Sequence, residues 1–167
     1  MRKVLYIGIS LILIIASIGC KKSSGYDGTT INNPSIPVTV SNLYGVYTYP
    51  TVATSVNAGG QITITLNIPA SSGRSIKEIT RVAAGTTGTN YKSVEVTSGL
   101  YNTSPIPGNG TSATFTTTLA EYTLKTGIAV TTSGTATSFL GRYFFFLVTL
   151  DNGQQIIPSA VRVYVQQ

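Results

Sequence analysis

Residues able to do chemistry are few in this chain of 167 residues. The carboxylates of the chain are Asp27, Glu78, Glu95, Glu121 and Asp151, no two of them close in sequence, and there is no histidine. Histidine is the commonest general base near neutral pH and the commonest metal ligand, so its absence removes the usual routes to an activated nucleophile. Glycoside hydrolysis needs two carboxylates facing one sugar ring, and the spacing supplies no such pair. The serines have no histidine partner and no nucleophile elbow, and the glycine-rich stretches do not form a Walker-type phosphate loop. Asp151 beside Asn152 offers oxygens for calcium, but such a site takes six or more, and Asp151-Asn152-Gly153 reads better as a turn. The residues therefore predict a protein that is not an enzyme, with no metal and no cofactor. The one thiol is Cys20.

The unusual side chain here is tyrosine: ten Tyr and five Phe with no Trp. Tyr44, Tyr47 and Tyr49 cluster ahead of the first clear strand, and Tyr91 and Tyr101 lie in a polar stretch. A tyrosine pairs an apolar ring with a polar tip, so it can stack on a sugar or anchor a protein contact. These five are the candidate ligand contacts, for a glycan or a protein partner. The competing role is packing on sheet edges with the hydroxyls in water.

The N-terminus has the layout of an export signal. Met1-Arg2-Lys3 is a short positive region, Val4 to Ile18 carries no charge, and Ala16-Ser17-Ile18-Gly19 precedes Cys20. A permanent membrane helix takes about 20 apolar residues, so a cleaved helical signal peptide over residues 1–19 is the better reading. Its end resembles a bacterial lipobox, in which a small residue precedes a cysteine that receives diacylglycerol. Gly19 and Cys20 match that pattern, while Ser17 stands where leucine is usual. Cys20 is also the only cysteine, so it closes no intramolecular disulfide. The resemblance implies lipidation at Cys20 and a membrane as partner, because several acyl chains anchor stably where one does not. Lys21 implies the outer membrane, since aspartate there is the retention signal in such proteins. Surface-exported lipoproteins often carry acidic residues after the cysteine. Here the stretch reads Lys21-Lys22-Ser23-Ser24-Gly25, and the periplasmic or surface face stays open.

Residues 20–37 are the lipidated cysteine and a flexible linker rich in Ser, Gly, Thr, Asn and Pro, too poor in large apolar groups to offset ordering entropy. Such a segment reaches roughly 20 to 25 Å and serves as a tether. Residues 38–167 form one domain. Gln61 to Ile68 alternates, with Ile62, Ile64, Leu66 and Ile68 on one face, between the turn Asn57-Ala58-Gly59-Gly60 and Pro69. Thr111 to Leu119 alternates again, grouping Ala113, Phe115, Thr117 and Leu119. Tyr143 to Leu150 is apolar on both faces, as in a central strand. Asp151-Asn152-Gly153 turns the chain into a last strand from Ile156 to Val165, with Pro158 at a bulge or edge. Residues 75–84 carry two readings: Ser75 and Glu78 fit a helix capping box, while the β-branched content and neighbouring strands favour a strand whose bulge reconciles Ile79 with Val82.

About seven short strands bounded by turns predict an all-β, two-sheet sandwich. Gly141-Arg142-Tyr143-Phe144-Phe145-Phe146-Leu147-Val148-Thr149-Leu150-Asp151-Asn152-Gly153 is similar to the penultimate strand and final hairpin of immunoglobulin-like or fibronectin type III-like domains in Bacteroidota-type envelope lipoproteins. Gly59-Gly60-Gln61-Ile62-Thr63-Ile64-Thr65-Leu66 resembles their second strand. The net charge of +6 falls to +4 without the leader, with Arg74, Lys77, Arg81, Lys92, Lys125, Arg142 and Arg162 scattered rather than clustered. That pattern excludes nucleic acid as the expected partner. The expectation is a non-catalytic, lipid-anchored envelope protein presenting an immunoglobulin-like domain for protein or assembly contacts. The alternatives are a carbohydrate-binding accessory of polysaccharide uptake and an adhesin-like surface protein.

Overall fold

The computed structural model describes residues 34–130 and 138–167, so the expected signal peptide, Cys20 and most of the linker lie outside the described residues. Among the described residues there are three sheets. The first runs β1 (Thr39–Val40), β3 (Gln61–Asn67), β6 (Ser112–Thr118). The second runs β2 (Thr51–Ser55), β10 (Arg162–Gln166), β7 (Ser138–Phe139), and the third runs β5 (Ile106–Pro107), β4 (Ile76–Gly85), β8 (Tyr143–Leu150), β9 (Gln155–Ile156). The all-β expectation holds. No helix among the described residues is long and apolar enough to cross a membrane.

The alternation in β3 works as read: Ile62, Ile64 and Leu66 are buried, and the polar residues between them are not. They meet Ala113 and Phe115 of β6, Ile79 and Val82 of β4, Phe144, Phe146 and Val148 of β8, and Val163 and Val165 of β10 in the main core. β8 is buried on its other face too, where Phe145 and Leu147 pack with Ala83, Val94, Ile157 and Ala160. That second cover explains why the strand is apolar throughout. Each fully buried phenylalanine contributes about 2 to 3 kcal/mol of transfer free energy.

Residues 76–85 form a strand, not a helix. β4 keeps Ile79 and Val82 both inside because its register against β8 shifts between Ile76 and Glu78 and again between Ile79 and Arg81. Each extra residue reverses the in–out phase, which is how a three-residue apolar spacing fits a sheet.

Two strand readings are corrected. The strand from Thr111 ends at Thr118, whose hydroxyl caps an unforeseen helix α1 (Leu119–Thr126) by accepting from the Glu121 N–H at 3.1 Å. The stretch from Ile156 to Val165 is two strands: β9 pairs with β8, and β10 pairs with β2 and β7. Pro158 sits in the break between them, where its missing N–H is no loss and the chain changes sheets. The Asp151-Asn152-Gly153 turn does join β8 to β9, with the Gly153 N–H donating to Leu150 O at 3.0 Å.

Candidate aromatic binding face

The face grows from the alternation of β10. Val163 and Val165 point into the core, which turns Arg162, Tyr164 and Gln166 outward, half-buried. Parallel pairing puts Ala53 of β2 beside Tyr164, and antiparallel pairing puts Phe139 of β7 on its other side. The loop before β2 folds back over this surface, tied by the Tyr44 N–H donating to Thr51 O at 2.7 Å.

Tyr44 stacks on Tyr164, with centroids 5.1 Å apart and planes 21° apart, and its hydroxyl accepts from Gln166 Nε2 at 3.0 Å. Tyr47 meets Phe139 edge to face at 5.3 Å and lies 6.2 Å from Tyr164. Arg162 lies over the Phe139 ring. Tyr49 meets Tyr143 edge to face at 5.2 Å. Tyr44, Tyr47 and Tyr49 therefore join Phe139, Tyr143 and Tyr164 in one aromatic row. Tyr47 is 43 % exposed, and in the same loop Leu43 is 57 % and Val46 100 % exposed. Asn42 is spent elsewhere, bridging Thr63 O and the Thr65 N–H of β3.

Tyr91 packs edge to face on Phe145 at 5.7 Å, beside the second core. Burial raises the pKa of its phenol, and Tyr49 nearby raises it further. Tyr101 is not a loop residue on the surface. It is 4 % exposed in the main core between Phe115 and Phe144, because its N–H donates to Val82 O at 2.7 Å and draws the chain against β4.

Around Tyr101 runs a polar chain. Its hydroxyl meets Thr117 Oγ1 at 2.9 Å, Thr117 donates to Glu121 Oε2 at 2.8 Å, and Lys125 pairs with Glu121 Oε1 at 2.8 Å. Lys125 also donates to Tyr101 O at 2.6 Å. A cleft of about 240 Å³ opens between Lys125, Arg142 and Gly99. Glu121 and the Tyr101 carbonyl already neutralise and occupy the Lys125 ammonium.

Among the described residues the carboxylates come from four different elements: Glu78 on β4, Glu95 in the single-turn helix Lys92–Glu95, Glu121 on α1 and Asp151 in the β8–β9 turn. Among the described residues no three His, Cys, Asp or Glu side chains gather as a metal site. Sequence reasoning missed Phe139, Tyr143, Arg162 and Tyr164. The available signal was Arg162-Val163-Tyr164-Val165, whose alternation sets Arg and Tyr opposite the buried valines. Comparison of the chain with protein-family models, curated proteins and solved structures finds no match in any of the three.

Proposed function

We propose that this chain is a non-catalytic, lipid-anchored protein of the bacterial cell envelope that presents an immunoglobulin-like domain for contact with a protein partner. The sheet orders support the immunoglobulin-like reading. β1-β3-β6 corresponds to strands A-B-E of such domains and β4-β8 with β10 to C-F-G, β8 and β10 being linked by the bridge of Phe144 and Val161. The leader ending Gly19-Cys20 supports the anchor.

The observation that carries the contact role is the aromatic row beside exposed Leu43, Val46 and Tyr47. Tyrosine and arginine in a half-buried cluster are the residues that dominate protein interfaces. A glycan is favoured less, because the faces of Tyr44 and Tyr164 are stacked on each other and Asn42 is engaged with β3. The test is a photocrosslinker at position 46 in the cells that make the protein, with and without Tyr44→Ala and Tyr47→Ala. A discrete protein adduct lost in the double variant supports the reading. No adduct, together with tyrosine-dependent retention on a polysaccharide gel, would move it to the carbohydrate alternative. Palmitate labelling lost in Cys20→Ala tests the anchor, and an unlabelled wild type of full uncleaved mass would sink it.

A further inference from the structure

The sheet β1-β3-β6 ends on β6 with no neighbouring strand among the described residues. The direction of its main-chain groups follows from the ends of the β3–β6 ladder. The Ile68 N–H donates to Thr111 O and the Leu119 N–H to Gly60 O, both at 2.9 Å, so positions 111 and 119 address β3. Ladder groups alternate along a strand, so Ala113, Phe115 and Thr117 address β3 as well. Thr114 and Thr116 then turn N–H and C=O away from it, and their backbones have no partner among the described residues. Their side chains are exposed.

Natural edges are blunted by lysine, proline, a bulge or an inward charge. β6 reads Ser-Ala-Thr-Phe-Thr-Thr-Thr, with no charge, no proline and an unbroken register against β3. Ser112 exchanges main-chain bonds with Asn109, and the Thr118 C=O accepts the first bond of α1. The free groups are therefore the N–H and C=O of Thr114 and Thr116 and the Thr118 N–H. They recur every second residue, roughly 6.8 Å apart, a spacing that another extended backbone satisfies.

We infer that β6 is a dimer interface, pairing antiparallel with β6 of a second copy of this chain about a two-fold axis through Thr116. A two-fold interface must be self-complementary, and this edge is. The axis sets Thr116 against Thr116 and Thr114 against Thr118, uncharged β-branched residues that pair well across strands. The same kind of pair already exists between β3 and β6, where Thr65 Oγ1 and Thr114 Oγ1 are 3.2 Å apart. The nearest charges beyond Thr118, Glu121 and Lys125, are paired with each other and set no like charges across the axis. The aromatic row belongs to another sheet, so dimerisation leaves it open and stands independently of the proposed function.

The test uses the full chain in detergent. Thr116→Cys places two thiols at Cα positions ~5.5 Å apart, within disulfide reach. Mild oxidation should give a covalent dimer that neither the wild type, with Cys20 alone, nor Thr48→Cys at an exposed loop position gives. No excess dimer over those two controls, or an adduct with a different protein, overturns the inference. In sedimentation at micromolar concentration the wild type should carry the mass of two chains and Thr116→Lys half that mass, with an unchanged far-ultraviolet spectrum. A wild type of one-chain mass, or a Thr116→Lys variant that still dimerises, overturns it too.

Discussion

The guanidinium carbon of Arg162 lies 3.6 Å from the centre of the Phe139 ring and 5.1 Å from that of Tyr143. Phe139 ends β7, Tyr143 opens β8 and Arg162 opens β10, so one cation joins three strands on the outer face. A planar guanidinium lies flat on a ring where a lysine ammonium cannot.

Arg162→Lys should therefore cost about 1 kcal/mol and Arg162→Ala about 1 to 2, the alanine also losing the packing of the aliphatic stem. Urea denaturation gives both values. Phe139→Leu added to Arg162→Lys should cost less than it does alone, because the pair is already broken. Equal stability of Arg162→Lys and wild type would mean that the stack contributes nothing.

Thr117 has one proton, and it goes to the Glu121 carboxylate at 2.8 Å, so the Tyr101 hydroxyl must donate to Thr117 Oγ1. Both Tyr101 and Thr117 are buried. Thr117→Val keeps the shape and leaves the tyrosine proton without an acceptor, at a cost of about 1 to 3 kcal/mol. Removing that hydroxyl as well, in Thr117→Val with Tyr101→Phe, should recover part of the loss. A double variant less stable than the single one would refute this account of the chain.

How much of this was legible in the sequence depends on whether the signal was local. β3 and the β8–β9 turn were readable, since alternation and turn chemistry lie within a few residues. A capping-box signature alone does not decide between helix and strand. Ser75 with Glu78 falls at the start of a strand, as the β-branched content favoured, because Ile79 and Val82 gain more by pairing with β8 than one helical turn could return. Thr118 with Glu121 starts a real helix, ended at Gly127, whose N–H donates to Thr123 O. Tyr44, Tyr47 and Tyr49 were visible as a cluster, but the rings that complete it come from β7, β8 and β10. Only the parallel pairing of β2 with β10 brings those strands to the loop. Tyr101 looked like a loop residue because the bond that draws it inward runs to Val82, far away in sequence.

The pH dependence of stability should carry a contribution from Glu121. Lys125 and Thr117, in that order, hold its carboxyl below the usual glutamate range, against a smaller opposing effect of burial. A lowered native pKa adds stability that is fully present above the usual range and is lost as pH falls through the native value. The pair is partly exposed, so the contribution is a few tenths of a kcal/mol after solvent screening. Glu121→Gln should flatten the acid limb of a stability–pH profile by about that amount, and high salt should shrink the difference. An acid limb that steepens in Glu121→Gln would reverse the sign argued here.

Gly108 is the most tightly enclosed glycine among the described residues. A Cβ built on it would lie 1.9 Å from Ile76 O and 2.7 Å from the Ile76 carbonyl carbon. Both are main-chain atoms in a segment tied on either side of the contact, the Ile76 N–H donating to Gly110 O at 2.7 Å and the Gly108 N–H to Lys77 O at 2.8 Å. Gly108→Ala must push the segment carrying β5 off β4, at roughly 2 to 4 kcal/mol, in the range of other severe steric changes. Gly73 is the control: its φ of 63° disfavours alanine, but nothing lies within 4 Å of its would-be Cβ. Gly73→Ala should cost only about 1 kcal/mol, the backbone term alone. Amide exchange read at Ile79 and Ile106 should speed up in Gly108→Ala and stay unchanged in Gly73→Ala. Equal costs for the two substitutions would mean that the β4–β5 approach is looser than these distances.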